Sequence, residues 1–86
     1  MVNATGGTAI GEGAVVAAGA TNAVALGNGS LATQPNTVSF GGPTVGNRRL
    51  VGIASGTSSN DAANFGQVRR AYSGVAMAFA LARLAA

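Results

Sequence analysis

One four-residue phrase occurs three times in the chain, as TAIG at residues 8–11, VALG at residues 24–27 and VSFG at residues 38–41. Asn22 and Asn36 each stand two positions before a copy and lie 14 positions apart. A unit of this length is too short for a pair of helices, but it fits one coil of a β-solenoid with two short strands and a glycine-bearing turn. The repeat therefore predicts a stack of short parallel strands over residues 1–42.

Alternation along the strands predicts which side chains the stack buries, because successive residues of a strand point to opposite faces. We expect the larger apolar residues to pack as the core of the roll, namely Ile10, Val24, Leu26, Val38 and Phe40. Ala9, Ala25 and Ser39 then lie on the outer face.

The spacing of apolar residues changes after residue 60. From there they follow each other at alternating intervals of three and four, at Phe65, Val68, Tyr72, Val75, Phe79, Ala82 and Ala86. This heptad pattern predicts a coiled-coil helix over residues 61–86, with Asp61 or Asn60 as its N-cap. Residues 43–60 then connect the strand repeats to the helix.

The composition predicts that the chain needs copies of itself to fold. Its 86 residues include 14 glycines but only three phenylalanines, one tyrosine and no tryptophan. Few large side chains are thus available to offset the entropy of ordering a glycine-rich backbone. Without cysteine, no disulfide can compensate, so self-association is the expected source of stability.

The residue types exclude most catalytic chemistry. Cysteine and histidine are absent, which excludes a thiolate nucleophile and an ordinary zinc site and leaves no base to activate a serine. Glu12 and Asp61 are the only carboxylate side chains, and they belong to different predicted modules. We therefore expect a protein that is not an enzyme and has no catalytic residue, cofactor, metal or small-molecule substrate.

The five arginines give a net charge of +3 but form no dense basic patch, because they stand at Arg48, Arg49, Arg69, Arg70 and Arg83. Nucleic-acid binders usually combine a denser patch with stacking aromatic residues, so we expect no nucleic-acid partner. A basic amphipathic helix over residues 69–86 would suit a membrane-active peptide, but this alternative leaves the repeat unexplained. The longest apolar stretch, residues 75–82, is shorter than the ~18 residues that a membrane-spanning helix needs.

Three motifs, in this order, resemble the trimeric autotransporter adhesins of Gram-negative bacteria. NAVALGNGS at residues 22–30 is similar to the head repeat of that family, NRRLVGIASGT at residues 47–57 to its neck, and DAANFGQV at residues 61–68 to the start of its stalk helix. Residues 71–82 resemble the beginning of the family's membrane anchor. The resemblance runs from residue 8 to residue 82.

The resemblance implies a mostly β fold with a C-terminal α-helix: a left-handed parallel β-roll head at residues 1–42, a neck at 43–60 and a parallel trimeric coiled coil at 61–86. It implies an obligate homotrimer on the bacterial cell surface or outer membrane, attached only through a C-terminal anchor that is absent from this chain. The implied function is adhesion to host cells or extracellular matrix, in the service of virulence. A segment that only trimerises and spaces, without ligand affinity of its own, fits the same features.

The resemblance also suggests roles for individual residues. Arg48 and Arg49 are expected to cross to a neighbouring chain in the neck and donate to its carbonyl groups, although a solvated loop pair or a direct ligand site also fits them. The other expected trimer and neck residues are Asp61, Asn64, Phe65, Gln67 and Val68. The head-repeat residues expected to face a ligand are Asn22, Ala23, Ala25 and Ser30.

Overall fold

The structure is a computed structural model that describes residues 1–74. Five short strands alternate between two small sheets. The first sheet contains β1 (Thr8–Ile10), β3 (Val24–Leu26) and β5 (Val38–Ser39), and the second contains β2 (Val15–Val16) and β4 (Leu31–Ala32). The chain is thus mostly β, and it returns to the same sheet at every second strand.

Neighbouring strands within each sheet run parallel, in the register that the repeat predicts. Thr8 lies opposite Val24, and Val24 lies opposite Val38. In the second sheet, Val15 lies opposite Leu31. Equivalent residues of successive repeats therefore stack directly on one another.

Small side chains fill the space between the two sheets. The buried residues are Ala14, Val16, Ala20, Ala23, Ala25, Ser30 and Ala32, with Ala4 and Ala9 packed against them. Valine is the largest side chain among them, and no leucine, isoleucine or phenylalanine of the described residues is fully buried there.

The predicted roll core is therefore wrong, because the two faces of the strands are exchanged. Ile10 is 58% exposed and Val38 is 50% exposed, while Val24, Leu26 and Phe40 are only partly buried. Ala25, expected on the outer face, is completely buried, and Ala9 and Ser39 are partly buried. Alternation defines two faces, but the narrow gap between the sheets decides that the face with smaller side chains points inward.

Left-handed backbone conformations form the turns between strands. Gly11 and Gly27 have φ values of 121° and 107°, and a Cβ on Gly11 would lie 2.6 Å from the carbonyl carbon of Gly27. Stacked turns therefore need glycine at this position for both conformation and space. Asn22 and Asn36 also have positive φ, at 61° and 58°, a region that asparagine tolerates better than most residues.

The described part of helix α1 covers residues 65–74. It begins four residues later than predicted, because residues 58–61 form a turn in which the Asp61 N–H donates to the Ser58 carbonyl. Asp61 and Asn60 are therefore not the N-cap. The predicted seam positions Val75, Phe79, Ala82 and Ala86 lie outside the described residues.

The chain divides after Arg49 into two compact units, Met1–Arg49 and Leu50–Ala86. This division falls inside the predicted connector, and the three-part scheme with boundaries after residues 42 and 60 stays a prediction. Within residues 1–74, the helical segment is neither long nor apolar enough to cross a bilayer.

The buried alanine face yields a first prediction. Enlarging Ala25 to leucine overfills the gap between the sheets, and we expect Ala25→Leu to lower the free energy of unfolding by about 1–3 kcal/mol. Chemical denaturation followed by circular dichroism measures this change. The matched control is Ala18→Leu at an exposed turn position, which is expected to be nearly neutral. Equal stability of the two variants would contradict the assignment of Ala25 to the interior.

Candidate functional site

The outward face of the first sheet presents a row of apolar side chains, which we call the head face. It consists of Ile10, Val24, Leu26, Val38 and Phe40. The parallel register stacks Ile10 on Leu26 and Val24 on Val38, so the row is regular. Exposed apolar patches are common at interaction sites, so the head face is a candidate interaction surface.

Three of the four residues expected to face a ligand are buried in the structure. Ala23, Ala25 and Ser30 are inaccessible to solvent, so the expectation that they contact a ligand at the surface is wrong. Ala23 and Ala25 belong to the packed alanine core, and Ser30 donates its hydroxyl to the Leu26 carbonyl. The repeat motif therefore contains residues that the coil needs for packing.

Asn22 is the exposed member of that set. Its side-chain Nδ2 donates to Oδ1 of Asn36 over 3.0 Å, which links equivalent turns of successive coils. The equivalent turn position of the first coil is Gly6, with φ of 71°. Asn22 thus supports the turn stack, and its contact with a ligand stays a prediction.

Arg48 donates hydrogen bonds to carbonyl groups of its own chain. Its Nη1 lies 2.7 Å from the Phe40 oxygen and 3.1 Å from Oγ of Ser30, and its Nη2 lies 2.7 Å from the Asn28 oxygen. These three bonds lie within one chain, and the expectation that Arg48 donates to a neighbouring chain stays a prediction. Arg49 is exposed, and its predicted role between chains stays a prediction.

Asn64 and Gln67 form a reciprocal cap at the start of α1. The Gln67 N–H donates to Oδ1 of Asn64, and the Asn64 N–H donates to Oε1 of Gln67, both over 3.0 Å. This arrangement is a capping box, which satisfies amide groups that the first helical turn leaves unpaired. Asn64, rather than Asp61 or Asn60, is therefore the N-cap.

The same two side chains hold the preceding segment against the helix start. Gln67 exchanges two hydrogen bonds with the backbone of Gly56, accepting from its N–H over 2.9 Å and donating to its carbonyl over 3.0 Å. Asn64 Nδ2 donates to the Ile53 carbonyl over 3.1 Å. Two amide side chains thus fix both the first residue of the helix and the course of residues 53–56.

Asp61 organises the turn before the helix. Its Oδ2 accepts hydrogen bonds from the backbone N–H groups of Thr57 and Ser58, over 3.0 Å and 3.1 Å. These two bonds, the Thr57 bond first, lower the pKa of the Asp61 carboxyl below its ordinary value of 3.8.

The second unit also exposes large apolar side chains. Phe65, Val68 and Tyr72 follow the three–four spacing along α1, and Phe65 and Tyr72 are 74% and 76% exposed. Leu50, Val51 and Ile53 of the preceding segment are exposed as well. Arg69 and Arg70 are exposed, and the Arg69 guanidinium lies 5.8 Å from the centre of the Phe65 ring.

The helix cap yields a second prediction. Gln67→Ala removes three side-chain hydrogen bonds at one position, and we expect it to destabilise the second unit by about 1–2 kcal/mol and to reduce the helical signal at 222 nm. Ser73→Ala, at an exposed position of the same helix, is the matched control. An unchanged helical signal in Gln67→Ala would contradict the capping role.

The pKa of Asp61 yields a third prediction, on the pH dependence of the same unit. Because its folded-state pKa is lowered, the carboxylate stabilises the fold above its ordinary pKa, and this contribution disappears as the pH falls through the lowered value. We expect the helical signal of the wild type to weaken as the pH falls from 3.8 to about 2, and Asp61→Asn to show a smaller change. Glu12→Gln, in the first unit, is the matched control for the removal of a carboxylate side chain.

No protein-family model and no curated protein sequence matches the chain. Among solved structures, it is similar to the collagen-binding domain of the Yersinia adhesin YadA, with a TM-score of 0.73 and 34% sequence identity. The similarity covers 78% of this chain and 37% of the YadA domain, so the present chain spans little more than a third of the length of that domain. Together with the head-repeat motif, this similarity identifies the chain as a YadA-like head of the trimeric autotransporter adhesins.

Proposed function

We propose that the chain is a non-enzymatic adhesin segment that acts as a homotrimer at the bacterial cell surface, attaching the cell to host cells or extracellular matrix. The similarity to the YadA collagen-binding domain carries this proposal. A left-handed β-roll in the head, a parallel coiled coil formed by α1 and a location at the outer membrane are parts of the same proposal.

The exposed apolar side chains support self-association. The head face presents Ile10 and Val38 to solvent in a single chain, and α1 presents Phe65, Val68 and Tyr72. Each surface is regular along its own element, so identical copies can meet through equivalent residues around a common axis. Burial of these side chains supplies the apolar area that the alanine-filled interior does not.

Weak contacts of a small head with a matrix protein become effective through repetition. Three identical heads in one trimer, and many trimers on one cell, raise the effective concentration of each binding site. Asn22 is the exposed candidate contact in the head repeat. Arg49 remains a candidate for contacts between chains.

A trimerising spacer without ligand affinity is the second candidate function. It is favoured by the burial of Ala23, Ala25 and Ser30, because three residues of the motif serve packing and hydrogen bonding within the coil. The two functions predict the same assembly and differ in matrix binding.

The oligomeric state yields a fourth prediction. Light scattering after size exclusion should give a mass near 25 kDa, three times the chain mass of 8.2 kDa. Ile10→Asp places a charge on the head face, where a single chain tolerates it but the assembled face does not, and should lower the mass. Ala18→Asp, at an exposed turn, is the control. A folded wild type of monomeric mass would overturn the trimer.

Matrix binding is tested with the trimer on immobilised collagen, fibronectin and laminin, by biolayer interferometry. The informative variant is Asn22→Gly, because glycine keeps the positive φ and already occupies the equivalent position at Gly6. If Asn22 contacts the ligand, Asn22→Gly should weaken binding severalfold at unchanged mass. An intact trimer that binds none of these proteins would favour the spacer.

A further inference from the structure

Beyond adhesion, we infer that residues 41–48 form a terminal cap on the strand stack, and that Arg48 holds this cap closed against pairing with other chains. The inference depends on contacts within the first unit and is independent of any ligand.

The hydrogen-bond ladder changes its partner at the last coil. Val15 and Leu31 are equivalent, because they lie opposite each other in the second sheet. The Val15 N–H donates to the Ser30 carbonyl of the following coil over 2.9 Å. The Leu31 N–H instead donates to the Gly41 carbonyl over 2.9 Å. Gly41 therefore takes the place in the ladder that a further coil would occupy.

A tight turn lies directly against this coil. Gly42 and Gly46 close it with two backbone hydrogen bonds, over 2.8 Å and 3.2 Å. A Cβ on Gly29 would lie 2.8 Å from Cγ1 of Val45, and a Cβ on Gly42 would collide with the Gly29 carbonyl oxygen. The absence of side chains at Gly29 and Gly42 thus lets the turn sit on the backbone of the coil.

Arg48 fastens the end of the cap to two successive coils. It donates to the Asn28 carbonyl, which follows β3, and to the Phe40 carbonyl, which follows β5. Its third acceptor is the buried hydroxyl of Ser30. The register makes Ala14 the counterpart of Ser30 in the preceding coil, where no hydroxyl is present. Charge-assisted bonds of this kind are stronger than bonds between neutral groups.

The cap pairs backbone groups that would otherwise be exposed. An open edge of a parallel stack offers unpaired amide and carbonyl groups to any other strand. With Gly41 in place, the Leu31 N–H is already paired. Release of the cap would expose this edge to the same edge of a second copy. Arg48 is therefore a positioning residue that ends the repeat and prevents chains from pairing through this edge.

The test compares Arg48→Ala with Arg49→Ala, which removes the same charge from the adjacent exposed position. Hydrogen exchange measured by NMR should accelerate at Leu31, Gly42 and Gly46 by about tenfold or more in Arg48→Ala, the effect of losing charge-assisted bonds. The Val15 amide, paired with Ser30, should keep its rate. Light scattering should show species larger than the wild type in Arg48→Ala alone.

Ser30→Ala keeps the proposal testable if Arg48→Ala does not fold. Alanine fits this position, as Ala14 does in the preceding coil, and it removes one of the three acceptors. We expect a smaller acceleration at the same three amides. Unchanged exchange at Leu31 in either folded variant, or equal behaviour of Arg48→Ala and Arg49→Ala, would overturn the inference.

Discussion

The narrow gap between the two sheets is the constraint on which the head depends. It admits alanine, serine and one valine, so every larger apolar side chain of the strands must point outward. The interior alone therefore buries little apolar area per residue, and little stabilisation follows from it. Ile10 and Val38 therefore expose apolar surface to water in the single chain. Burial of the same surface between copies would stabilise an assembly.

Close stacking has a second consequence, for the turns. Coils that repeat in parallel register bring equivalent turns into contact. Gly11 is needed because a Cβ there would strike the backbone of Gly27, and Gly27 because a Cβ there would meet the Arg48 guanidinium. Asn22 and Asn36 adopt the left-handed backbone conformation, and one hydrogen bond joins their side chains. The motif positions are therefore constrained by the coil itself. This explains how a sequence motif can identify the family while three of its residues, Ala23, Ala25 and Ser30, are buried and unavailable to a ligand.

Much of this fold was predictable from the sequence, and the errors have physical causes. The repeat predicts the strands and their register, because hydrogen bonding between identical units favours stacking in phase. It does not predict which face is internal, since this depends on the distance between the sheets. Asp61 alone does not locate the helix start, because aspartate is as common in turns as at helix N-caps. The start is indicated instead by Asn64 and Gln67, whose spacing of three is typical of a capping box. The acceptors of Arg48 within its own chain were not predictable, because they depend on how residues 41–48 fold back onto the coils.

In this small chain, apolar side chains provide surfaces for association between copies, and polar side chains end or begin regular structure. Exposed apolar side chains offer surfaces to other copies, whereas Arg48 in the first unit and Gln67 in the second bond to backbone groups where regular structure ends or begins. Apolar contacts are non-directional and tolerate many partners, so they cannot by themselves limit assembly. Directional hydrogen bonds to particular carbonyl and amide groups can limit assembly, because they occupy the backbone groups with which another strand would pair. The chain therefore places one charged side chain, Arg48, where the repeat stops.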